Sequence, residues 1–160
     1  MKRAFAIGSV IVLALAAAVQ VRAQGDPGIG TWKVNLAKSK YMARIAPKSE
    51  VRTYAAQGEA VKLTVNGVAA DGSRVEWGYT ARLDGKDYPI TGSGPAGAPE
   101  ADAIAATRTN ATTVEAKLKR HGQVTETATR VVSADGKIMT VTAYKAGDAT
   151  PLFVTVYDKQ

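Results

Sequence analysis

Turn-forming residues recur along this chain at near-regular intervals. They fall at Gly58, Asp71-Gly72, Asp84-Gly85, Asn110, His121-Gly122, Asp135-Gly136 and Gly147-Asp148. Asp-Gly is a strong hairpin signal, because a type I′ turn needs positive φ at both central residues. The segments between these turns are short, rich in Val, Thr, Tyr and Ala, and patterned with period two. The clearest series sets Val75, Trp77, Tyr79, Ala81 and Leu83 against Arg74, Glu76, Gly78, Thr80 and Arg82. A second sets Val114, Ala116 and Leu118 against Thr113, Glu115, Lys117 and Lys119. One apolar and one wet face is the signature of an antiparallel sheet with one side on a core.

The spacing predicts ten strands, at about 30–35, 49–57, 60–69, 73–83, 86–92, 102–109, 112–120, 123–133, 137–146 and 150–159. The best helical candidate is Leu36 to Ile45, with room for about one or two turns before Pro47 stops it. Ten hairpin-linked strands in an open sheet would leave exposed edges, so closure or a two-sheet sandwich is required. Greek keys need long crossovers. Only 36–48 and Ser93 to Ala101, with Gly94, Pro95, Gly97 and Pro99, are long connections. The expected fold is all-β: an up-and-down antiparallel meander closed into a barrel.

The first 23 residues stand outside that pattern. Lys2 and Arg3 precede an apolar stretch from Ala4 to Val19, and Val21-Arg22-Ala23 suits signal-peptidase cleavage. The stretch is shorter than the roughly 20 residues that a membrane span needs. We therefore expect 1–23 to be a signal peptide, 24–160 to be a single secreted or periplasmic domain, and the mature chain to have no transmembrane span. The chain has no cysteine, so disulfides, thiolate metal sites, cysteine nucleophiles and a lipidated cysteine are excluded. The signal carries Lys2, Arg3 and Arg22 and no acid, so cleavage lowers the formal charge from +7 to +4. Acids and bases are interleaved, without the basic run or basic–aromatic stripe of a nucleic-acid binder.

The first strand opens Gly30-Thr31-Trp32-Lys33, and the last ends Val156-Tyr157-Asp158-Lys159. With ten strands between, the chain resembles the calycin group of lipocalins and fatty-acid-binding proteins. A closer resemblance is to small secreted bacterial proteins of unassigned function. It is carried by the Gly-Thr-Trp-Lys start, the Ala37-Lys38-Ser39-Lys40-Tyr41 sequel and Asp84-Gly85-Lys86-Asp87-Tyr88-Pro89. The resemblance implies a lipocalin-like barrel with Trp32 packing its closed end. Fatty-acid-binding proteins carry an Arg-x-Tyr on the final strand; here Tyr157 is present and Thr155 stands at the arginine position.

Catalytic groups are sparse. His121 is the only histidine and sits in a probable-turn dipeptide with Gly122; no second histidine or positioned nucleophile accompanies it. Asp71, Asp84 and Asp135 each precede glycine, where a turn accounts for them. Glu100 and Asp102 supply too few ligands for calcium on their own. Gly92-Ser93-Gly94-Pro95-Ala96-Gly97 lacks the helix and Lys-Ser or Lys-Thr of a phosphate loop. Asn110-Ala111-Thr112 fits both a glycosylation sequon and a plain turn. No enzyme, cofactor or metal is expected.

The interior is the remaining candidate. Trp77 and Tyr79 lie on the apolar face of their strand. Arg108 is in register with Ile104 and Ala106, and Arg130 with Val124 and Ala128. An inward arginine needs a partner, which a bound acid would supply. Otherwise both reach solvent over apolar surface. The first expectation is a barrel binding a small, apolar or amphipathic ligand beside the 93–101 loop. Trp77, Tyr79 and Tyr157 would form its walls and Arg108 or Arg130 its anchor. The alternative is a solid barrel acting through its outside, as an extracellular enzyme inhibitor or envelope interaction module. Lys62, Glu115, Lys117 and Lys119, or the 93–101 loop, would then carry the contact.

Overall fold

The structure, a computed structural model, describes residues 25–42, 45–95 and 100–160. The expected signal peptide lies outside the described residues, as do 43–44 and 96–99 of the two long connections. The strands are β1 (Gly30–Val34), β2 (Lys40–Tyr41), β3 (Ser49–Gln57), β4 (Ala60–Val68), β5 (Arg74–Ala81), β6 (Asp84–Gly92), β7 (Ala103–Arg108), β8 (Thr113–Arg120), β9 (Gln123–Val132), β10 (Ile138–Lys145) and β11 (Pro151–Lys159). From β3 to β11 each strand pairs antiparallel with the next, and β1 joins β3 on one side and β11 on the other. The meander is therefore a closed barrel of ten strands, with β2 as a short addition against β11. Among the described residues no helix is long and apolar enough to cross a membrane.

Alternation decides which side chains enter the barrel. In β4, Val61, Leu63 and Val65 are buried while Lys62 and Asn66 are exposed. Met139, Val141 and Ala143 of β10 and Phe153, Thr155 and Tyr157 of β11 face the same interior. Trp32 of β1 is fully buried, and its Nε1 donates to the Gly28 carbonyl at 2.7 Å. The segment before β1 thus folds in over one end of the barrel. That end also holds the β3–β4, β7–β8 and β9–β10 turns.

The closing seam departs from the expected helix. The helical stretch is only a 3-10 turn at Leu36–Lys38, after which β2 resumes along β11. Asn35 caps this turn and its Nδ2 donates to Asp158 at 2.7 Å. The interruption frees the Val156 N–H, which donates to Ser39 Oγ at 2.9 Å. Side chains thereby replace the ladder bonds lost when the first strand is broken.

The β5–β6 pairing is the shortest within the meander, running only from Trp77↔Gly92 to Tyr79↔Ile90. Asp84-Gly85 does not make a two-residue hairpin. Pro89 lacks an N–H to continue the ladder. The loop consequently widens, and Asp84–Pro89 pairs with β7 through an irregular register. Gly92 ends this narrow pairing with φ +88, and a Cβ there would overlap the Glu76 carbonyl oxygen. Gly92→Ala should destabilise the barrel by more than about 1 kcal/mol in urea denaturation. Gly58→Asn, at φ +61 with open space around it, should cost under about 0.5 kcal/mol. Equal losses at the two positions would refute this account of the seam.

Candidate functional site

The barrel interior is occupied by long polar side chains as well as aliphatic ones. At the end covered by the N-terminal segment, Asp26 is buried and accepts from the Gly28 N–H at 2.8 Å. Both its oxygens lie 2.7 Å from Arg130 Nη2. Arg108 Nη2 approaches Asp26 Oδ2 at 3.0 Å but off its N–H axis, so the contact is ionic rather than a hydrogen bond. Burial pushes the Asp26 carboxyl up, and Arg130, the Gly28 N–H and Arg108 more than reverse that, leaving it below its ordinary value. Arg130 also stacks over the Tyr54 ring at 4.9 Å. A Cβ at Gly28 would overlap the Arg130 guanidinium, so any larger residue there has to shift that paired group.

A second network links β3 to β11. Arg52 Nε donates to Glu50 Oε1 at 2.7 Å, and Tyr157 Oη donates to the same oxygen. The Arg52 guanidinium lies 4.9 Å from the Tyr157 ring centroid and 5.8 Å from that of Trp77. Thr155 donates to Tyr41 Oη at 3.1 Å. The cation beside Tyr157 therefore comes from β3, and the final strand needs none.

Between these networks is a cavity of about 60 Å³. Trp77, Tyr79, Arg52, Arg130 and Glu126 border it, and Pro95, itself buried, borders it from the β6–β7 connection. Three buried polar atoms of the residues on this wall lack a hydrogen bond: Trp77 Nε1, Glu126 Oε2 and Arg130 Nε. Glu126 is only 2% exposed. Burial pushes its carboxyl up to about 7 from an ordinary 4.5, with the Arg52 charge acting in the opposite direction.

Of the side chains singled out from sequence, Trp77, Tyr79 and Arg130 meet at the cavity. Tyr157 is buried in the Glu50–Arg52 network, away from it. Both arginines are turned in, and their partner is Asp26 of the chain itself rather than solvent or a bound acid. Val124 is not in register with Arg130. A bulge opposite Leu118 and Lys119 takes up Thr125, turning Val124 outward while Glu126 faces in. Sequence reasoning missed Glu126, Arg52, Glu50 and Asp26. The first three carried a usable signal: Glu50 and Arg52 share the parity of Tyr54, and Glu126 that of Ala128 and Arg130. His121 is exposed at φ +49, with its N–H donating to Asp102 Oδ2 at 2.8 Å. Glu100 pairs with Arg120, and Lys119 with Asp87 at 2.7 Å.

No protein-family model matches this chain, and no curated protein sequence matches it. Among solved structures it is similar to one described as "Structure of EF1p2_mFAP2b bound to DFHBI". That likeness covers 89% of this chain and 100% of the other, at 10% identity and a TM-score of 0.45.

Asp26 and Glu126, two of the three buried acids, should affect stability in opposite pH ranges. Asp26 titrates lower when folded, so its contribution is present above its ordinary pKa and lost as pH falls through the folded value. Asp26→Ala leaves two buried guanidiniums without their counter-ion and should cost about 3–5 kcal/mol at neutral pH. Glu126 titrates higher when folded, so its contribution is full below pH 4.5 and is lost as pH rises to about 7. Between pH 4.5 and 8 the native protein should lose about 2–4 kcal/mol that Glu126→Gln does not lose. Urea denaturation at several pH values measures both, and identical slopes for the native protein and Glu126→Gln would refute the second.

Proposed function

We propose that the protein is an exported, non-catalytic barrel that holds a small, partly apolar molecule in its lumen. The observation that carries this reading is the aromatic-walled cavity on which Trp77 Nε1 and Glu126 Oε2 lack partners. Each buried polar atom without a partner costs about 1–3 kcal/mol, a cost that a ligand bearing complementary groups removes. Pro95 borders the cavity from the β6–β7 connection. At about 60 Å³ the space suits a few non-hydrogen atoms, below the roughly 300–1,000 Å³ of ordinary ligand pockets, so the guest is small. The signal-peptide pattern of 1–23 and the exposed position of the single histidine support export and binding without chemical change.

The small size of the cavity favours one second reading, a filled barrel that acts through its outside. The outer faces of β9 to β11 carry uncharged cross-strand rows, Val131–Thr140–Val156 and Thr129–Thr142–Val154. An inhibitor or envelope module would use such a face. Native mass spectrometry of protein purified gently from an export compartment distinguishes the two. The lumen reading predicts a co-purifying small molecule that is lost when Ala116→Leu narrows the cavity. A bare protein whose melting temperature no small-molecule panel raises would sink that reading, and a stoichiometric protein partner unaffected by Ala116→Leu would support the second.

A further inference from the structure

The pattern of paired and unpaired groups in the lumen restricts the chemistry of its guest; this step rests on the lumen-binding reading. Six buried side chains are ionisable to full charges: Asp26, Glu50 and Glu126 against Arg52, Arg108 and Arg130. With Glu126 ionised the two signs are equal in number. A charged guest would break that balance in a water-poor interior, where an uncompensated ion is costly.

The local arrangement is equally selective. Arg52 is bonded to Glu50, and Arg130 to Asp26. Each lumen guanidinium thus has a carboxylate of the chain against it, although Arg130 Nε is itself unbonded, and the Glu126 carboxylate would repel a carboxylate guest. A cationic guest would meet Glu126 favourably. Yet Arg52 already lies over the Trp77 ring, so a cation against that wall would face another cation. What remains unmet on the residues lining that cavity is one acceptor, Glu126 Oε2, and two donors, Trp77 Nε1 and Arg130 Nε; of these donors only the indole belongs to a group with no ionic partner. A hydroxyl group is both a donor and an acceptor. One hydroxyl can donate its proton to the carboxylate while its oxygen accepts the indole N–H, and a hydrogen bond to an ionised acceptor is among the stronger kinds.

We propose that the guest is an uncharged alcohol with a compact apolar body, its hydroxyl donating to the Glu126 carboxylate and accepting from Trp77 Nε1. The apolar body lies against Tyr79 and the aliphatic wall. Binding favours ionised Glu126, so affinity rises with pH through the range in which that carboxyl titrates. The groups facing it are Arg52 from β3, Arg130 on β9, and the phenols of Tyr54 and Tyr79 from β3 and β5. Guanidiniums and phenols ordinarily titrate at about pH 10 or above, outside that range.

The test is a titration of the purified protein with four probes small enough for the cavity: 2-propanol, propane dissolved under pressure, acetate and ethylammonium. Binding is followed by the two indole N–H resonances in nitrogen-15 correlation spectra. Trp32 serves as the internal control, because its N–H is already bonded to Gly28; Trp77→Phe assigns the other signal. The expected result is that 2-propanol binds at least about tenfold tighter than propane at pH 8, that it moves the Trp77 signal and leaves Trp32 in place, and that this preference shrinks at pH 5. Glu126→Leu, an apolar residue in an apolar wall, should abolish the preference while propane still binds. Propane binding as tightly as 2-propanol overturns the hydroxyl assignment and leaves the lumen reading intact. Tighter binding of acetate or ethylammonium also overturns it, in favour of a charged guest. Failure of all four probes to bind overturns the assignment and the lumen reading together.

Discussion

A barrel of ten strands has an interior whose width is set by strand number and tilt, and the side chains that point inward must fill it. Eight strands already leave an interior just wide enough for side chains. This chain carries many alanines and only two phenylalanines. It fills the extra width with arginine, tyrosine, tryptophan and glutamate. That choice governs the remaining structure. Long polar side chains fill volume, but each brings N–H, O–H or charge that must find a partner away from water. The Asp26 and Glu50 networks meet most of that demand, and leave Arg108 Nε and Nη2, Arg130 Nε, Trp77 Nε1 and Glu126 Oε2 without a hydrogen bond. The N-terminal segment covers the end of the barrel as part of the same solution, because it delivers Asp26 to two inward arginines and the Gly28 carbonyl to Trp32.

The two networks do not stabilise equally at all positions. Arg52 is held by Glu50 on its own strand, two residues away, so β3 forms that pair without help from distant sequence. Arg130 depends on a residue 104 positions earlier, so that pair forms only when the N-terminal segment meets β9. The seam tolerates an interruption at Leu36–Lys38 because Asn35 and Ser39 supply the missing hydrogen bonds locally.

Strand order and closure were legible in the sequence because period-two alternation and Asp-Gly turns are local signals. The stretch 36–45 read as a possible helix because its composition is neutral between helix and turn; pairing with β11, a contact across the whole chain, decides it. Pro89 could have warned that Asp84-Gly85 would not close a tight hairpin. The candidate site was half legible. Trp77, Tyr79 and Arg130 lie on apolar faces that alternation identifies. Asp26 precedes the first strand, where no periodicity marks direction, so the partner of Arg108 and Arg130 was invisible and a ligand acid stood in for it. Glu126 was overlooked for its charge rather than its position. It keeps the inward parity of Ala128 and Arg130, but a carboxylate is seldom a core residue; the bulge at Thr125 breaks only the parity that ties Val124 to Arg130.

The position of Thr155 shows how a barrel interior can hold an arginine beside Tyr157 without taking it from the final strand. An arginine on the last strand, free of any partner, would make the lumen a receptor for carboxylates. Here the guanidinium beside Tyr157 is provided by β3, and it arrives with its counter-ion, Glu50, bound to Nε. The charge is spent within the wall. Thr155 needs only a hydroxyl, and gives it to Tyr41. Neutralising the arginine has a consequence across the lumen, because Glu126 then lacks a strong local cation and burial outweighs Arg52 in setting its proton affinity. With the guanidinium placed on β3 beside its own carboxylate, the charge around Tyr157 is paired within the wall, and Glu126 Oε2 is left as the unmet buried acceptor among the described residues.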